Sequence, residues 1–410
     1  MFAVCSAHSM VLRCALQMAR ERDRPLLIEA TANQVNPFNG YSGMTPADFT
    51  AFISRWAGTI GIPENRIMIG ADHLGPHVWK REPAAAAMEK AAILARQCVR
   101  AGFHKIHIDT VQGCADDPDA LLCLEQTALR AAQLCRSAET AAREQPRRPA
   151  PFYVIGNEVP PPGGGLEADG DVTLTDAGQL KQTLDVYEQA FGAAGVSSAW
   201  PRVMAIVVQP GVEFGDERIV AYRTGRASAL SAGHARLPGV MTFEIHATDY
   251  QSPQALRKMV RDHFALLKVG PCLTFAMREA LYALAGLEAA LEARPDAPSH
   301  LPLVMERLMS AHPQHWQSHY KGSAETQQRL RHHSLRDRIR YYWSHPDARQ
   351  AVERLMRNLN RPVSAALLEQ LLPEGYRRAP GHGERFDPEA FVQARIRQAL
   401  QPYVDACWGT

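Results

Sequence analysis

Acidic and imidazole side chains in this chain recur where short apolar runs stop. Asp72 and His73 close IMIGADH (67–73), His107 and Asp109 lie in KIHID (105–109), Asn157 and Glu158 close FYVIGNE (152–158), and Glu244 and His246 lie in TFEIH (242–246). FAVCSAH (2–8) carries Ser6 and His8, LLIEA (26–30) carries Glu29 with Asn33 and Gln34 just beyond, VMAIVVQ (203–209) ends in Gln209, and ALLKVG (265–270) holds Lys268. Burying such groups without partners is costly, so their concentration at run ends points to a polar site. His73, His246 and Glu158 offer the imidazole and carboxylate donors of a divalent metal ion, zinc first, with manganese, nickel or cobalt as alternatives. Three protein ligands and one open position would let substrate oxygens bind the ion and be polarised. Asp72, Asp109 and Glu158 are the candidate catalytic carboxylates, and Asp72, Asp109 and Glu244 would act as proton carriers or as groups that orient the ligands. Ser6, Glu29, Asn33, Gln34, Asn157, Glu244 and Lys268 are the candidate substrate-binding groups. A lysine such as Lys268 also admits Schiff-base chemistry on a ketose, but that mechanism leaves the His73/His246 pair without a task. A polar mouth with no ion is the alternative.

The elements that would position these groups follow from an alternation. Eight apolar, β-branched runs are separated by amphipathic stretches such as PADFTAFISRWAGTIG and AAAAMEKAAILARQCVRAG. Thr45 before Pro46 reads as an N-cap with proline at the first helical position, and Gly102 as a left-handed C-cap. Eight strand–helix units within about the first 290 residues match a (β/α)8 TIM barrel of roughly 250 residues. Its active site would lie at the C-terminal strand ends, where the polar groups are. A doubly wound sheet is the competitor, but no Gly-rich phosphate loop follows the first run. Residues 1–294 therefore read as the barrel and 295–410 as a helical extension packed on it. RLRHHSLRDRIRYYW and PDARQAVERLMRNL read as amphipathic helices there. The Pro/Gly-rich segment 159–175 reads as a long loop at the catalytic end, either a lid or a plain surface loop.

Bulk composition excludes other classes. The 45 basic and 43 acidic residues leave a net charge of +2, which makes no case for nucleic acid or an acidic membrane surface. No stretch reaches the roughly 18 apolar residues of a bilayer span, and the first residues lack a secretion-signal pattern. The cytoplasm is the default location. The cysteines, at 5, 14, 98, 114, 123, 135, 272 and 407, form no CxxC pair and read as small packing residues, with a minor functional reading for Cys5.

Longer blocks carry a resemblance. LIEATANQVNPFNGYSGMTPADF, GADHLGPHVW, AGFHKIHIDT, CADDP, YVIGNEVPPPGG, VVQPGVEF, FEIHATDYQ and DHFALLKVGPCLTFAMREALYAL, with HWQSHY and SLRDRIRYYW in the extension, resemble the tagatose-bisphosphate aldolase Z-subunit family (GatZ/KbaZ) over essentially the whole chain. That resemblance implies the fold of the metal-dependent class II aldolases. It makes His73 and His246 similar to the metal histidines of strands three and seven, and Asp72 similar to the catalytic acid/base. Asp109 and Glu158 look like the carboxylates of strands four and five. Gln209 stands where the strand-six metal histidine is expected, so the ion would be held through Glu158 and Gln209. The small-residue phosphate turn after the strand-seven histidine is here ATDYQ, which favours an unphosphorylated substrate.

Members of the family are described in two ways. One is a stand-alone ketose C4 epimerase that inverts a ketohexose such as tagatose or fructose by retro-aldol cleavage and re-addition, and this is the reading the polar strand ends favour. The other is a non-catalytic partner of a class II aldolase chain. Self-association into a homo-oligomer fits either, and a sugar-kinase reading finds no P-loop.

Overall fold

The computed structural model of the chain describes residues 1–156, 172–291, 296–372 and 385–409. Eight parallel strands close into a barrel: β1 (Phe2–Cys5), β2 (Leu26–Thr31), β3 (Ile67–Leu74), β4 (Lys105–Ile108), β5 (Phe152–Ile155), β6 (Val203–Val207), β7 (Thr242–Ile245) and β8 (Phe264–Val269). Each strand pairs with its successor and β8 closes on β1. A helix follows each: α1 (Ser9–Glu21), α2 (Pro46–Ile60), α3 (Ala84–Arg100), α4 (Leu124–Arg143), α5 (Leu180–Ala193), α6 (Thr224–Gly233), α7 (Pro253–Arg261) and α8 (Pro271–Ala289). This is the (β/α)8 TIM barrel that the run alternation predicts. Local chemistry sets the boundaries as expected. Thr45 and Asp48 exchange a full capping box ahead of Pro46, and Gly102 follows α3 with φ +88°.

Inside the barrel, the two-residue strand period sorts side chains into layers. Ala3, Leu27, Val154, Ala205, Val207 and Leu266 form an apolar layer, with Met1, Met68 and Met204 packed against it. Two residues further along the same strands stand Cys5, Glu29 and Lys268, with Gly70 following Met68 on β3. The register sets Cys5 against Glu29, Glu29 against Gly70, and Gly70 against Lys105. A polar layer therefore lies directly above the apolar one. Gly70 leaves room for it, since a Cβ there would sit 2.9 Å from the Glu29 side chain.

The chain forms two compact units. One comprises Met1–Ala7, Ala15–Gly270 and Pro402–Thr410; the other comprises His8–Cys14 and Pro271–Gln401. The second unit is helical, with α9 (Leu301–Ala311), α10 (Ala324–His333), α11 (Pro346–Leu359), α12 (Ala365–Leu371) and most of α13 (Pro388–Trp408). Helix α11 is the PDARQAVERLMRNL helix read from the sequence. RLRHHSLRDRIRYYW is not one helix, however. Helix α10 stops at His333, and a 3-10 turn over Arg338–Tyr342 starts after Asp337, which adopts a left-handed φ of 46°.

The bend at Asp337 is held from within the unit. Its buried carboxylate accepts from Thr274 Oγ1 at 2.6 Å and from Arg278 Nε at 3.4 Å. Burial nonetheless pushes its pKa up to about 6. Between about pH 4 and 6 the unfolded chain has released this proton while the folded chain keeps it, so the stability Asp337 contributes falls as pH rises through that window. The loss is on the order of 2–3 kcal/mol. Asp337→Asn should flatten that part of the pH profile in urea titrations run from pH 4 to 6. An unchanged slope would mean that Asp337 does not titrate there.

No helix among the described residues is long and apolar enough to cross a membrane. All eight cysteines are free. Most of the predicted loop 159–175 lies outside the described residues.

Candidate metal centre

Three histidines from three strand ends meet at the barrel mouth. His73 ends β3, His107 lies on β4 and His246 follows β7; one ring nitrogen from each lies within 4.8 Å of the others'. Each imidazole is gripped by a carboxylate. Asp109 Oδ2 is 2.8 Å from His73 Nδ1, Asp72 Oδ1 is 2.9 Å from His107 Nδ1, and Glu244 Oε1 is 3.0 Å from His246 Nε2. A carboxylate can only accept, so the nitrogen facing it carries the proton and the other nitrogen presents its lone pair. The His73 backbone N–H also points at His107 Nδ1, at 3.2 Å. That contact does not set the tautomer, because a bare Nδ1 would then face the ionised Asp72 lone pair to lone pair.

Three lone pairs result, on His73 Nε2, His107 Nε2 and His246 Nδ1. The first and third are 3.1 Å apart, within hydrogen-bond distance, and His107 Nε2 is buried without a hydrogen-bond partner. Two bare imidazole nitrogens at that separation repel unless a proton or a cation lies between them. Nitrogens sharing one tetrahedral ion at roughly 2.0–2.1 Å would stand about 3.3 Å apart. The donor set therefore fits a divalent metal.

The electrostatics below the trio fit as well. Lys105 Nζ bridges Glu29 Oε1 at 2.5 Å and Glu244 Oε2 at 2.6 Å. Lys268 Nζ contacts Glu29 Oε2, Asp72 Oδ1 at 2.8 Å and Glu244 Oε1 at 3.6 Å. In this network the four carboxylates of Glu29, Asp72, Asp109 and Glu244 face the two ammoniums of Lys105 and Lys268, so with all three imidazoles neutral two positive charges are wanting. One divalent cation cancels that deficit, and buried charge that is not cancelled is expensive.

The titration directions divide the trio: Asp72 and Asp109 raise His73 above the ordinary imidazole value against its burial, whereas burial holds His246 below it. Burial would raise the Asp72 and Asp109 carboxyls, but the imidazoles beside them hold both well below the usual range. Glu244 is likewise drawn down, to about 2, by Lys105 and His246 against its burial. Burial pushes Lys268 down to about 8, and with three carboxylates around it the ammonium form persists at neutral pH.

Backbone strain marks the same place. His73 and Ala247, the residue after His246, both adopt left-handed φ values, 46° and 53°, which non-glycine residues avoid.

The structure redistributes several roles read from the sequence. Of the four proposed ligands, His73 and His246 are in the cluster and Glu158 lies outside the described residues, as does Asn157. Gln209 is turned away: its amide oxygen accepts the N–H groups of Gly211 and Val212, both at 2.9 Å, so the atom that would ligate a metal is already engaged in its own loop. His107 stands in the cluster instead. Asp72, Asp109 and Glu244, read as proton carriers or as groups that orient the ligands, each face a histidine. Glu29, Glu244 and Lys268, read as substrate-binding groups, are buried in the ion-pair layer. Gln34 is occupied too, its side-chain oxygen accepting the Thr31 N–H at 2.8 Å, and Ser6 is buried at the end of β1. Asn33 pairs with another histidine, His77, whose Nε2 lies 3.4 Å from Asn33 Nδ2. The sequence reading passed over His77 and Lys105. The period-2 spacing of Lys105 and His107 in KIHID is a signal that both face the barrel interior.

The sequence profile described as "D-tagatose-1,6-bisphosphate aldolase subunit GatZ/KbaZ-like" matches residues 1–408. The D-tagatose-1,6-bisphosphate aldolase subunit GatZ of Klebsiella pneumoniae subsp. pneumoniae is 45% identical over 406 residues, covering 99% of this chain and 95% of that protein. The crystal structure of a probable tagatose 6 phosphate kinase from Sinorhizobium meliloti 1021 matches with a TM-score of 0.87 at 42% identity, covering 99% of this chain and 100% of that one. Likeness of this length and level leaves one assignment: the chain belongs to the GatZ/KbaZ-like family of D-tagatose-1,6-bisphosphate aldolase subunits.

Proposed function

We propose that this chain serves as a Z-type subunit to a tagatose-bisphosphate aldolase, alongside a separate class II aldolase chain, and that it carries a divalent-cation site of its own. The subunit role is supported by the relationship to a GatZ subunit over 99% of the chain. The cation site is supported by the three carboxylate-paired imidazoles whose free lone pairs converge.

A second reading is favoured by that same trio: a metal-dependent ketose C4 epimerase acting on a ketohexose such as tagatose or fructose. A partner protein without chemistry has no need of three oriented imidazoles over a layer deficient in positive charge. When bound, a divalent ion supplies Lewis acidity toward a ketose carbonyl or hydroxyl oxygen, zinc being the first expectation for this donor set. The chain's own residues do the rest. Asp109, Asp72 and Glu244 keep the imidazole lone pairs aimed at one point. Asp72 and Asp109 are held ionised, the state in which a carboxylate accepts a hydroxyl proton. The apolar layer beneath excludes water from the barrel interior.

One experiment separates the readings. The full chain is purified alone, stripped and reloaded with Zn²⁺, Mn²⁺, Ni²⁺ or Co²⁺, and incubated with fructose and with tagatose; in parallel it is co-expressed with a class II aldolase chain. The subunit reading expects an inert isolated chain that co-purifies with the aldolase and lengthens its active lifetime. Interconversion of the two sugars by the isolated, loaded chain establishes the epimerase. An isolated chain that converts neither sugar and leaves the aldolase unaffected sinks both.

A further inference from the structure

Glu29 stands in the polar layer of the barrel, paired with Lys105 and Lys268. It is completely buried, yet both its carboxylate oxygens are the starting points of ion-pair chains that end on the trio. From Oε1 the chain runs to Lys105 at 2.5 Å, from Lys105 to Glu244 at 2.6 Å, and from Glu244 to His246 at 3.0 Å. From Oε2 it runs to Lys268, then to Asp72 at 2.8 Å, and from Asp72 to His107 at 2.9 Å. We propose that Glu29 is a positioning residue for the divalent-cation site, fixing through Lys105 and Lys268 the two carboxylates that orient His246 and His107.

The inference rests on the reading of the histidine trio as a cation site and goes beyond it by assigning control of that site to a residue in the layer below. The physical argument is one of competition. Glu244 and Asp72 each serve a lysine and a histidine at once, and how closely either approaches its imidazole depends on where the shared ammonium is held. Glu29 holds both ammoniums from below, one on each oxygen, whereas Glu244 reaches Lys105 at 2.6 Å and Lys268 only at 3.6 Å. Without its charge, Lys105 and Lys268 move onto Glu244 and Asp72, weaken the grip of those carboxylates on the imidazole N–H groups, and reduce the charge deficit that a divalent ion fills. The fold reserves space for this arrangement at Gly70, where a methyl group would meet both the Glu29 side-chain carbon and its Oε1 at 2.9 Å. Only the third branch, Asp109 on His73, is independent of Glu29.

The test uses Co²⁺ as probe on the full chain, because its visible absorption reports ligand geometry as well as occupancy. Stripped wild type, Glu29→Gln and Glu29→Asp are titrated with Co²⁺, with metal content checked by elemental analysis and folding by thermal melts. Glu29→Gln is expected to weaken Co²⁺ binding about 10–100-fold, the range typical when a group behind a metal ligand is removed, and to shift the absorption bands. Glu29→Asp keeps the charge but cannot reach both ammoniums, and is expected to fall between the two. A role confined to stability would lower the melting temperature and leave affinity and spectrum alone. A folded Glu29→Gln with wild-type affinity and spectrum overturns the inference while the cation site stands. If Glu29→Gln does not fold, Glu29→Asp decides by the same criterion. A wild-type chain that takes up no Co²⁺ overturns the cation site itself, and this inference with it.

Discussion

Replacing His107 with alanine is expected to weaken divalent-metal binding at least about a hundredfold, whereas replacing Gln209 with alanine should leave it within about twofold. The first figure follows from removing one of three converging nitrogens, a larger loss than the 10–100-fold typical of disturbing a group behind a ligand. It also strands Asp72, which then keeps only Lys268 within ion-pair reach besides the more distant His73. The second figure follows from the Gln209 amide oxygen, already accepting two backbone N–H groups. Gln209→Ala should instead lower stability by about 1–2 kcal/mol, the usual effect of leaving buried donors unmet. Elemental analysis after dialysis against a graded chelator series checks both. Metal retained by His107→Ala and lost by Gln209→Ala would reverse the ligand assignment and restore the one read from sequence.

The second large effect is steric. Gly75 follows β3 immediately after the strand's last bond to β4, in which Leu74 accepts the Asp109 N–H at 2.9 Å. A Cβ on Gly75 would lie 1.6 Å from the Asp109 carbonyl oxygen, and that oxygen belongs to buried backbone rather than to a flexible side chain. Gly75→Ala must therefore push β3 and β4 apart at the point where His73 and Asp109 pair. The expected loss is about 4 kcal/mol or more, at the high end for a single substitution, with little soluble protein recovered. Gly58→Ala is the control: it lies in the exposed interior of α2 with nothing within 4 Å of the added methyl, and should stabilise by about 0.5–1 kcal/mol. Urea denaturation of the three proteins checks the pair. A Gly75→Ala variant within about 1 kcal/mol of wild type would show that the approach can relax.

Much of this architecture is local and therefore legible in the sequence. Strands of a parallel barrel are buried on both faces, so each appears as a short apolar run, and all eight runs correspond to strands. The strand-end rule then located His73, His107, Asp109, Glu244, His246 and Lys268 in one region, because in a barrel every strand's C-terminal end faces the same mouth. The helix caps at Thr45 and Gly102 were equally readable, since their chemistry lies within a few residues. In the second unit, helical periodicity alone failed over 329–343. There Asp337 takes a left-handed conformation held by Thr274 and Arg278, far away in the chain, and no pattern within the segment announces that.

The sequence by itself thus determined the barrel, the end of it where the polar side chains gather, and the presence there of imidazoles and carboxylates of the types that bind a divalent ion. Which imidazoles converge was decided only by the tertiary structure. His246 meets His73 across 173 residues and Lys268 meets Glu29 across 239, pairings set by barrel closure and strand register. Reading Gln209 as a ligand followed its place at the strand-six position of the resembling family, while its actual partners follow from the turn of the next loop. The physical reason is the same in each case. Residue type and period fix which way a side chain faces, but the partner it finds depends on strands brought together from opposite ends of the chain.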